Sequence, residues 1–469
     1  YVDQNKNAVW GYAGHNSWWQ QFPNRPNITR NGGGAGPLHT VDIAPFASSL
    51  KRFGFAGYEH NYGLWYDRRR DAHDTACRPN SNVVGPTLEQ PWARSGSGTA
   101  CDGRSKYDLT TFNSFYFERL ASFAAAAEQN GVIFINNFYM QHALLEVNAH
   151  YVDFPWRPGN NIQNAPMPSS VPAANSFYNV SNSQMRSLHR LYINKMLDTL
   201  RDYPNVVHLV SQEYTGNLSF MRFWIDTIKD WEAANGKRVH IGLGATKDVQ
   251  DAILNDSSRS KDISSVNLQY WWYQSNGQLF APPGGVSYAG RYSLGTGSAG
   301  TTPQQIYRQI REYRERVPKK ALLHHIRADL QQTWAFLMGG GSLLIRYITY
   351  PSVSVRDYNT APIEFSLIRH TYNFVNNKLA SILPTMIPAD LASNSTATVW
   401  SLTDHKKAAL FYLPNGGSFD ADLSRLSGQT NASWFNPTTG VEIPIGTVNN
   451  SASVPFSSPG GSTWALLLK

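Results

Sequence analysis

The chain reads as an α/β protein, a (β/α)8 TIM barrel followed by a small antiparallel β-sandwich domain. Three observations predict it. Short apolar runs suited to buried strands alternate with segments of helical period, eight times over, between Ala8 and Asn376. Several of these runs break at their C-terminal ends into carboxylate, histidine, arginine and aromatic residues, and that end of a barrel strand is where such folds carry chemistry. After Ile382-Leu383-Pro384 the helical period stops and short alternating or apolar runs, separated by Gly-rich turns, take over. The domains are read as 1–383 for the barrel and 384–469 for the β domain.

Taken in order, Ala8 to Gly14 is the first strand, and the helical pattern over Val41 to Arg52 follows it. Phe55 to Glu59 is the second strand. The stretch Asp71 to Lys106 that follows is too long for an idle loop and reads as a functional excursion. A helix over Leu109 to Asn130 leads into strand Val132 to Asn136. A second Pro- and Asn-rich excursion, Asp153 to Asn175, precedes the helix Ser183 to Tyr203. Strand Val206 to Ser211 comes next, then a helix over Phe220 to Asn235, then strands Val239 to Leu243 and Ile263 to Leu268. Helix Pro303 to Arg316, strand Ala321 to His324, helix Leu330 to Met338, strand Ser342 to Tyr347 and helix Ile363 to Asn376 complete the pattern. Parallel neighbours need a crossover, and helices supply it. An open doubly wound sheet is the runner-up, disfavoured because no Gly-rich phosphate loop follows the first strand. In the last domain Ala397 to Leu402, Lys407 to Leu413, Ser433 to Asn436 and Ser462 to Leu468 read as strands, and no chemistry is visible there.

The strand ends collect the candidate site. The first gives His15, Trp18 and Trp19; the second gives Glu59, His60, Tyr62, Tyr66, Asp67 and Arg68. The third gives Asn137, Tyr139 and His142, with Glu146 beyond; the fourth gives Glu213 and Tyr214. Lys247 and Asp248, Tyr270 and Trp271, then His325, Arg327 and Asp329, and finally Arg346 and Tyr350 come from the remaining four. Glycoside cleavage needs one carboxyl group to protonate the leaving oxygen and a second group to attack or to activate water. Glu213, where strand Val206 to Ser211 turns polar, is placed for the acid. Glu59, Asp67, Glu146 and Asp329 are the candidates opposite it, in that order. Each has a structural reading beside the catalytic one: a buried ion pair for Glu59, charge neutralisation of Arg68 or Arg70 for Asp67, helix surface for Glu146, and a first-turn helix position for Asp329. His60, Tyr62 and Tyr66 are the candidate bases of a different reaction, β-elimination at a uronate, with Arg68 to Arg70 as neutralisers. His15, Trp18, Tyr66, Arg68, Asn137, Tyr139, His142, Lys247, Tyr270, Trp271, Arg327 and Arg346 are the candidate sugar-binding residues.

Composition bounds the partner. The 469 residues include 14 Trp and 24 Tyr, faces on which sugar rings stack, although Trp also simply fills cores. The net charge of +8 comes without a basic run or tail, so nucleic acid is not expected, and an acidic polysaccharide fits the balance as well as an uncommitted basic surface does. Cys77 and Cys101 share one Gly/Ser/Pro-rich stretch, which suits a disulfide in an oxidising compartment, with two free thiols as the alternative. Sequons at Asn27, Asn179, Asn217, Asn255, Asn394, Asn431 and Asn449 agree with a secreted, extracellular glycoprotein, and Tyr1 as first residue reads as a processed chain. No run is long enough to span a membrane. No histidine spacing points to zinc, and neither metal nor cofactor is expected. A monomer or small homo-oligomer is expected.

One resemblance joins these features. The barrel with its strand-four Glu213, the segment Gln332-Thr333-Trp334-Ala335-Phe336-Leu337-Met338-Gly339-Gly340-Gly341, and the β-domain stretches Phe411-Tyr412-Leu413-Pro414 and Trp434-Phe435-Asn436-Pro437-Thr438-Thr439-Gly440 resemble the apiosidase-like clan of secreted glycoside hydrolases. Many of these carry a C-terminal domain labelled collagen-binding. The stretch Tyr62 to Asp71 is similar to an uncharacterised group within it. The resemblance implies that Glu213 is the acid/base and that a nucleophilic Glu closes strand seven. Here that strand ends Leu322-Leu323-His324-His325-Ile326-Arg327-Ala328-Asp329, with no Glu. An inverting hydrolase, a relocated nucleophile, or another reaction on the same scaffold is therefore left open. The expected function is a secreted glycoside hydrolase on a plant or microbial polysaccharide; the alternatives are a polysaccharide lyase and a non-catalytic carbohydrate-binding protein.

Overall fold

The structure is a computed structural model, and it describes residues 1–15, 43–60, 77, 90–146, 151–152, 154–285, 300–325, 329–347 and 365–469. Eight parallel strands close a barrel: β1 (Gly11–His15), β2 (Phe55–His60), β3 (Ile133–Met140), β4 (Val206–Gln212), β5 (His240–Gly244), β6 (Ile263–Asn267), β7 (Ala321–His325) and β8 (Leu343–Tyr347). β1 pairs with both β2 and β8, so the ring has no free edge. A helix follows each strand: α1 (Ile43–Arg52), α2 (Ser114–Gln129), α3 (Ser183–Leu200), α4 (Leu218–Asn235), α5 (Lys247–Leu254), α6 (Pro303–Arg316), α7 (Leu330–Met338) and α8 (Phe365–Phe374).

Local chemistry sets several helix ends. Asn182 and Asn217 accept from the backbone N–H of Met185 and Phe220 as N-caps of α3 and α4, and Gly236 closes α4 in the left-handed region at φ 61°. Thr302 caps α6, Pro303 opens it, and Arg314 and Arg316 lie in its last turn, where the dipole favours cations. The barrel interior is aliphatic, filled by Ala13, Ile133, Ile135, Val207, Leu209, Leu323, Leu343 and Ile345. Strand alternation sends their neighbours, among them Tyr12, Tyr58, Phe134, Val210 and Leu322, into the layer shared with the helices.

Two expectations are corrected here. Leu109 to Phe112 is not helical; Tyr107–Phe112 pairs antiparallel with Trp92–Arg94, and the helix begins only after Asn113 takes an extended backbone. The excursion before Lys106 therefore ends in a two-stranded ribbon, and Cys77 and Cys101 form a disulfide. Strand three runs on to Met140, past the predicted Asn136, because Asn136 and Asn137 are wholly buried in it.

The C-terminal domain has two antiparallel sheets. One is six-stranded, in the order β9 (Ile387–Ala389), β11 (Trp400–Thr403), β12 (Ala409–Leu413), β17 (Trp464–Leu468), β14 (Gln429–Phe435), β15 (Glu442–Asn449). The other joins β10 (Ala392–Ser393), β13 (Ser418–Ala421) and β16 (Val454–Ser457). Phe411, Phe419, Trp434, Phe456 and Leu466 pack between them. The opposite face of the larger sheet lies on the barrel helices. Tyr412 stacks on Trp334 of α7 at 4.9 Å and 10°, Trp400 on Tyr307 of α6 at 5.0 Å, and Phe435 on Phe374 of α8 at 4.2 Å. Arg311 of α6 adds an ion pair to Asp390. Barrel and β-domain residues thus share one core cluster.

Candidate active site

The end of β4 is the best-defined part of the site. β4 is buried along its whole length, and the next residue, Glu213, has φ 57°. A side chain in this left-handed region crowds its own Cβ against the following carbonyl, at a cost of about 1–2 kcal/mol. The surroundings hold it there. The backbone N–H of Thr215 donates to Gln141 Oε1 at 3.0 Å, and Gln141 Nε2 donates back to Thr215 Oγ1 at 2.7 Å and to Glu146 Oε1 at 2.6 Å. Gln141 N donates in turn to Ser211 Oγ at 3.0 Å. Tyr214 OH donates to the Asn217 carbonyl at 2.6 Å, and its ring lies where a Cβ on Gly216 would stand, 2.5 Å away. A carboxylate on a strained backbone, in a turn tied to Gln141 just past β3, is the kind of outlier that marks a functional position.

Across the mouth lies Glu59, on β2, with no solvent exposure. Asn137 Nδ2 donates to its Oε1 at 3.0 Å and to the carbonyl of His60 at 3.2 Å. His325 Nε2 lies 3.3 Å from the same Oε1. β2 and β7 are separated around the ring by β1 and β8, so this contact spans the barrel mouth and both side chains point inward. The adjacent His324 points the other way. Its Nε2 donates to Gln309 Oε1 at 3.0 Å, and burial pulls its pKa down to about 3, which keeps it a neutral structural group.

The structure does not bring all the sequence-predicted residues to this mouth. His60 faces the helices, stacked on Phe134 at 5.8 Å with Tyr116 OH 3.4 Å from its Nε2. Tyr139 also leaves the mouth: its hydroxyl donates to His189 Nδ1 at 2.8 Å, while His189 Nε2 donates to the Phe177 carbonyl at 2.7 Å. Lys247 is bound to Asp251 at 2.8 Å and lies over Trp271, in the layer between α5 and α6. Trp271 is fully buried and donates Nε1–H to Gln250 at 2.8 Å. Its replacement by Phe leaves that buried amide oxygen without its donor, so W271F is expected to lower unfolding free energy by about 1–3 kcal/mol while KM for any hydrolysed substrate stays unchanged. Denaturant titration beside steady-state kinetics checks this. Arg346 falls on the outward phase of β8 with Leu344, in electrostatic reach of the Tyr12 hydroxyl. Tyr270 is buried just past β6. Asp329 is the N-cap of α7 in a capping box with Gln332, so its carboxylate is committed to the helix.

Tyr62, Asp67, Trp18, Tyr66, Arg68 and Arg327 lie outside the described residues, as do the side chains of His15 and His142. Two residues without an assigned chemical role enter the site: His325, collected among the strand ends, and Gln141, not singled out at all. Phase supports His325, since Leu323 fills the barrel and the residue two further on points the same way. Gln141 carries no such signal; its importance lies in a contact between strand ends. Among the described residues no group of three or more His, Cys, Asp or Glu could hold a metal ion, and no helix is long and apolar enough to cross a membrane. A cavity of about 480 Å³ lies at the opposite end of the barrel, lined by Tyr1, Trp10, Arg314, Ser342 and Leu402, and shares no residue with the mouth.

Comparison with known proteins matches two family models. Residues 2–353 match a domain of unknown function, DUF6298, and residues 386–469 match the "putative collagen-binding domain of a collagenase". No curated protein matches. Among solved structures, one described as a glycoside hydrolase is similar with a TM-score of 0.57 at 11% identity, over 99% of this chain and 93% of that one. A glycoside hydrolase family 5 protein from Bacteroides vulgatus gives 0.56 at 11%, over 97% and 89%. An alpha-amylase from Geobacillus thermoleovorans, complexed with acarbose, gives 0.51 at 9%, over 98% of each. At these identities the likeness is one of fold.

Proposed function

The chain belongs to the DUF6298 family of domains of unknown function, and for this member we propose a secreted glycoside hydrolase with Glu213 as general acid. The observation that carries the reading is the strained, braced carboxylate at the rim of β4, facing a mouth that holds a second acid, Glu59, among polar partners. The likeness in fold to glycoside hydrolases supports it, and so does the disulfide for an oxidising compartment. Within that class the apiosidase-like clan is the proposed placement, with a barrel of residues 1–383 and a β domain of 384–469, acting as a monomer or small homo-oligomer. The net charge of +8 favours an acidic plant or microbial polysaccharide.

The test is product analysis on neutral and uronate-containing polysaccharides. New reducing ends without ultraviolet absorbance are expected. An unsaturated, absorbing product would replace hydrolysis by β-elimination, and tight binding without any product would make the chain a carbohydrate-binding protein.

A further inference from the structure

Glu59 and His325 meet across the mouth, but only one of them can reach a substrate. The Glu59 side chain is 0% exposed, whereas that of His325 is 13% exposed. A carboxylate sealed inside the barrel cannot attack an anomeric carbon, and it cannot take a proton from a water held in the mouth. An imidazole resting on it can. Asn137 fixes the carboxylate from β3 through the same Oε1, so the group that orients His325 is itself oriented. β7 stands three strands from β4 in the ring of eight, close to diametrically opposite, which sets His325 and Glu213 on facing sides of the opening.

Resting on the glycoside hydrolase reading, we propose that His325 is the general base of an inverting hydrolysis and that Glu59, 3.3 Å from its Nε2, is its positioning residue. In the tautomer that carries its hydrogen on Nε2, the nitrogen 3.3 Å from Glu59, the lone pair is on Nδ1. Nδ1 takes a proton from water as the water oxygen bonds to the anomeric carbon. The glycosidic C–O bond breaks on the other face, and its oxygen takes the proton of Glu213. The products are an inverted hemiacetal and a free alcohol; the imidazolium then returns its proton to solvent and Glu213 regains one. Glu59 favours that tautomer through its negative charge, 3.3 Å away, and offsets the positive charge of the imidazolium without itself gaining a proton.

The experiment uses the full chain and a panel of dinitrophenyl glycosides, whose leaving group needs no acid, so that the water-activating step is read alone. Wild type is expected to release dinitrophenol from at least one, and NMR of the first turnover shows the inverted anomer. His325→Ala and His325→Asn lose about 10²–10⁴-fold in rate. Added azide, which needs no deprotonation, restores turnover in His325→Ala and yields the inverted glycosyl azide. Glu59→Gln lowers kcat roughly tenfold or more with KM unchanged, a split that a purely structural role would not give. The asparagine variant, with its melting temperature measured, guards against a folding defect in the alanine variant. A retained anomer, more than a tenth of the rate surviving in His325→Asn, or no response to azide overturns the inference and leaves the hydrolase reading standing. No wild-type turnover on these glycosides or on polysaccharides removes both.

Discussion

Glu213→Gln loses about 10²–10⁴-fold in turnover, while the melting temperature stays within about a degree of wild type. The exchange is isosteric, so the turn built by Gln141, Thr215 and Tyr214 persists and only the proton is lost. Glu213→Gly makes the argument stronger. Glycine adopts φ 57° without the crowding of a Cβ, so this variant is expected to be inactive and more stable by about 1–2 kcal/mol. Chemical denaturation measures the gain. Activity retained in the glutamine variant would remove Glu213 from the acid role. A glycine variant no more stable than wild type would show that the backbone carries no strain. A rise in stability with a loss of activity is the signature of a residue kept for its chemistry.

Trp334→Ala is the second large effect. Trp334 is fully buried in α7, donates Nε1–H to Thr371 at 2.9 Å, and stacks face to face on Tyr412 of the β domain. Its removal is expected to lower unfolding free energy by about 3–5 kcal/mol. The same stacking makes a further demand on calorimetry: barrel and β domain unfold in one transition, and the variant shifts that transition as a whole. Two separated transitions in wild type, or a shift in the barrel transition alone, would mean that the aromatic seam does not couple the two parts.

Most of the barrel was legible because its signals are local. The helical periods of α4 and α6, the latter opening at Pro303, and the apolar runs of β4 and β7 lie in the residues themselves. Signals failed where pairing overrode them. Tyr107–Phe112 sits against the start of a helix and reads as its first turn, until Trp92–Arg94 comes alongside. β15 was missed because every residue from Glu442 to Thr447 is exposed, so no buried face imposes alternation on it. The site divides in the same way. Glu213 and Glu59 stand out as carboxylates at strand ends, whereas Trp271, Tyr139 and His60 have the right chemistry at the right place in sequence and turn the wrong way. Only strand phase separates His325 from His324, neighbours of one kind with opposite fates.

The stacked pairs Trp334–Tyr412, Tyr307–Trp400 and Phe374–Phe435 tie the histories of the two domains together. A ring lost from either side leaves a gap that only a matching change on the other can close. The C-terminal part is therefore poor material for exchange between genes, and lineages carrying this barrel are expected to inherit both halves as one unit rather than acquire the second as a detachable accessory.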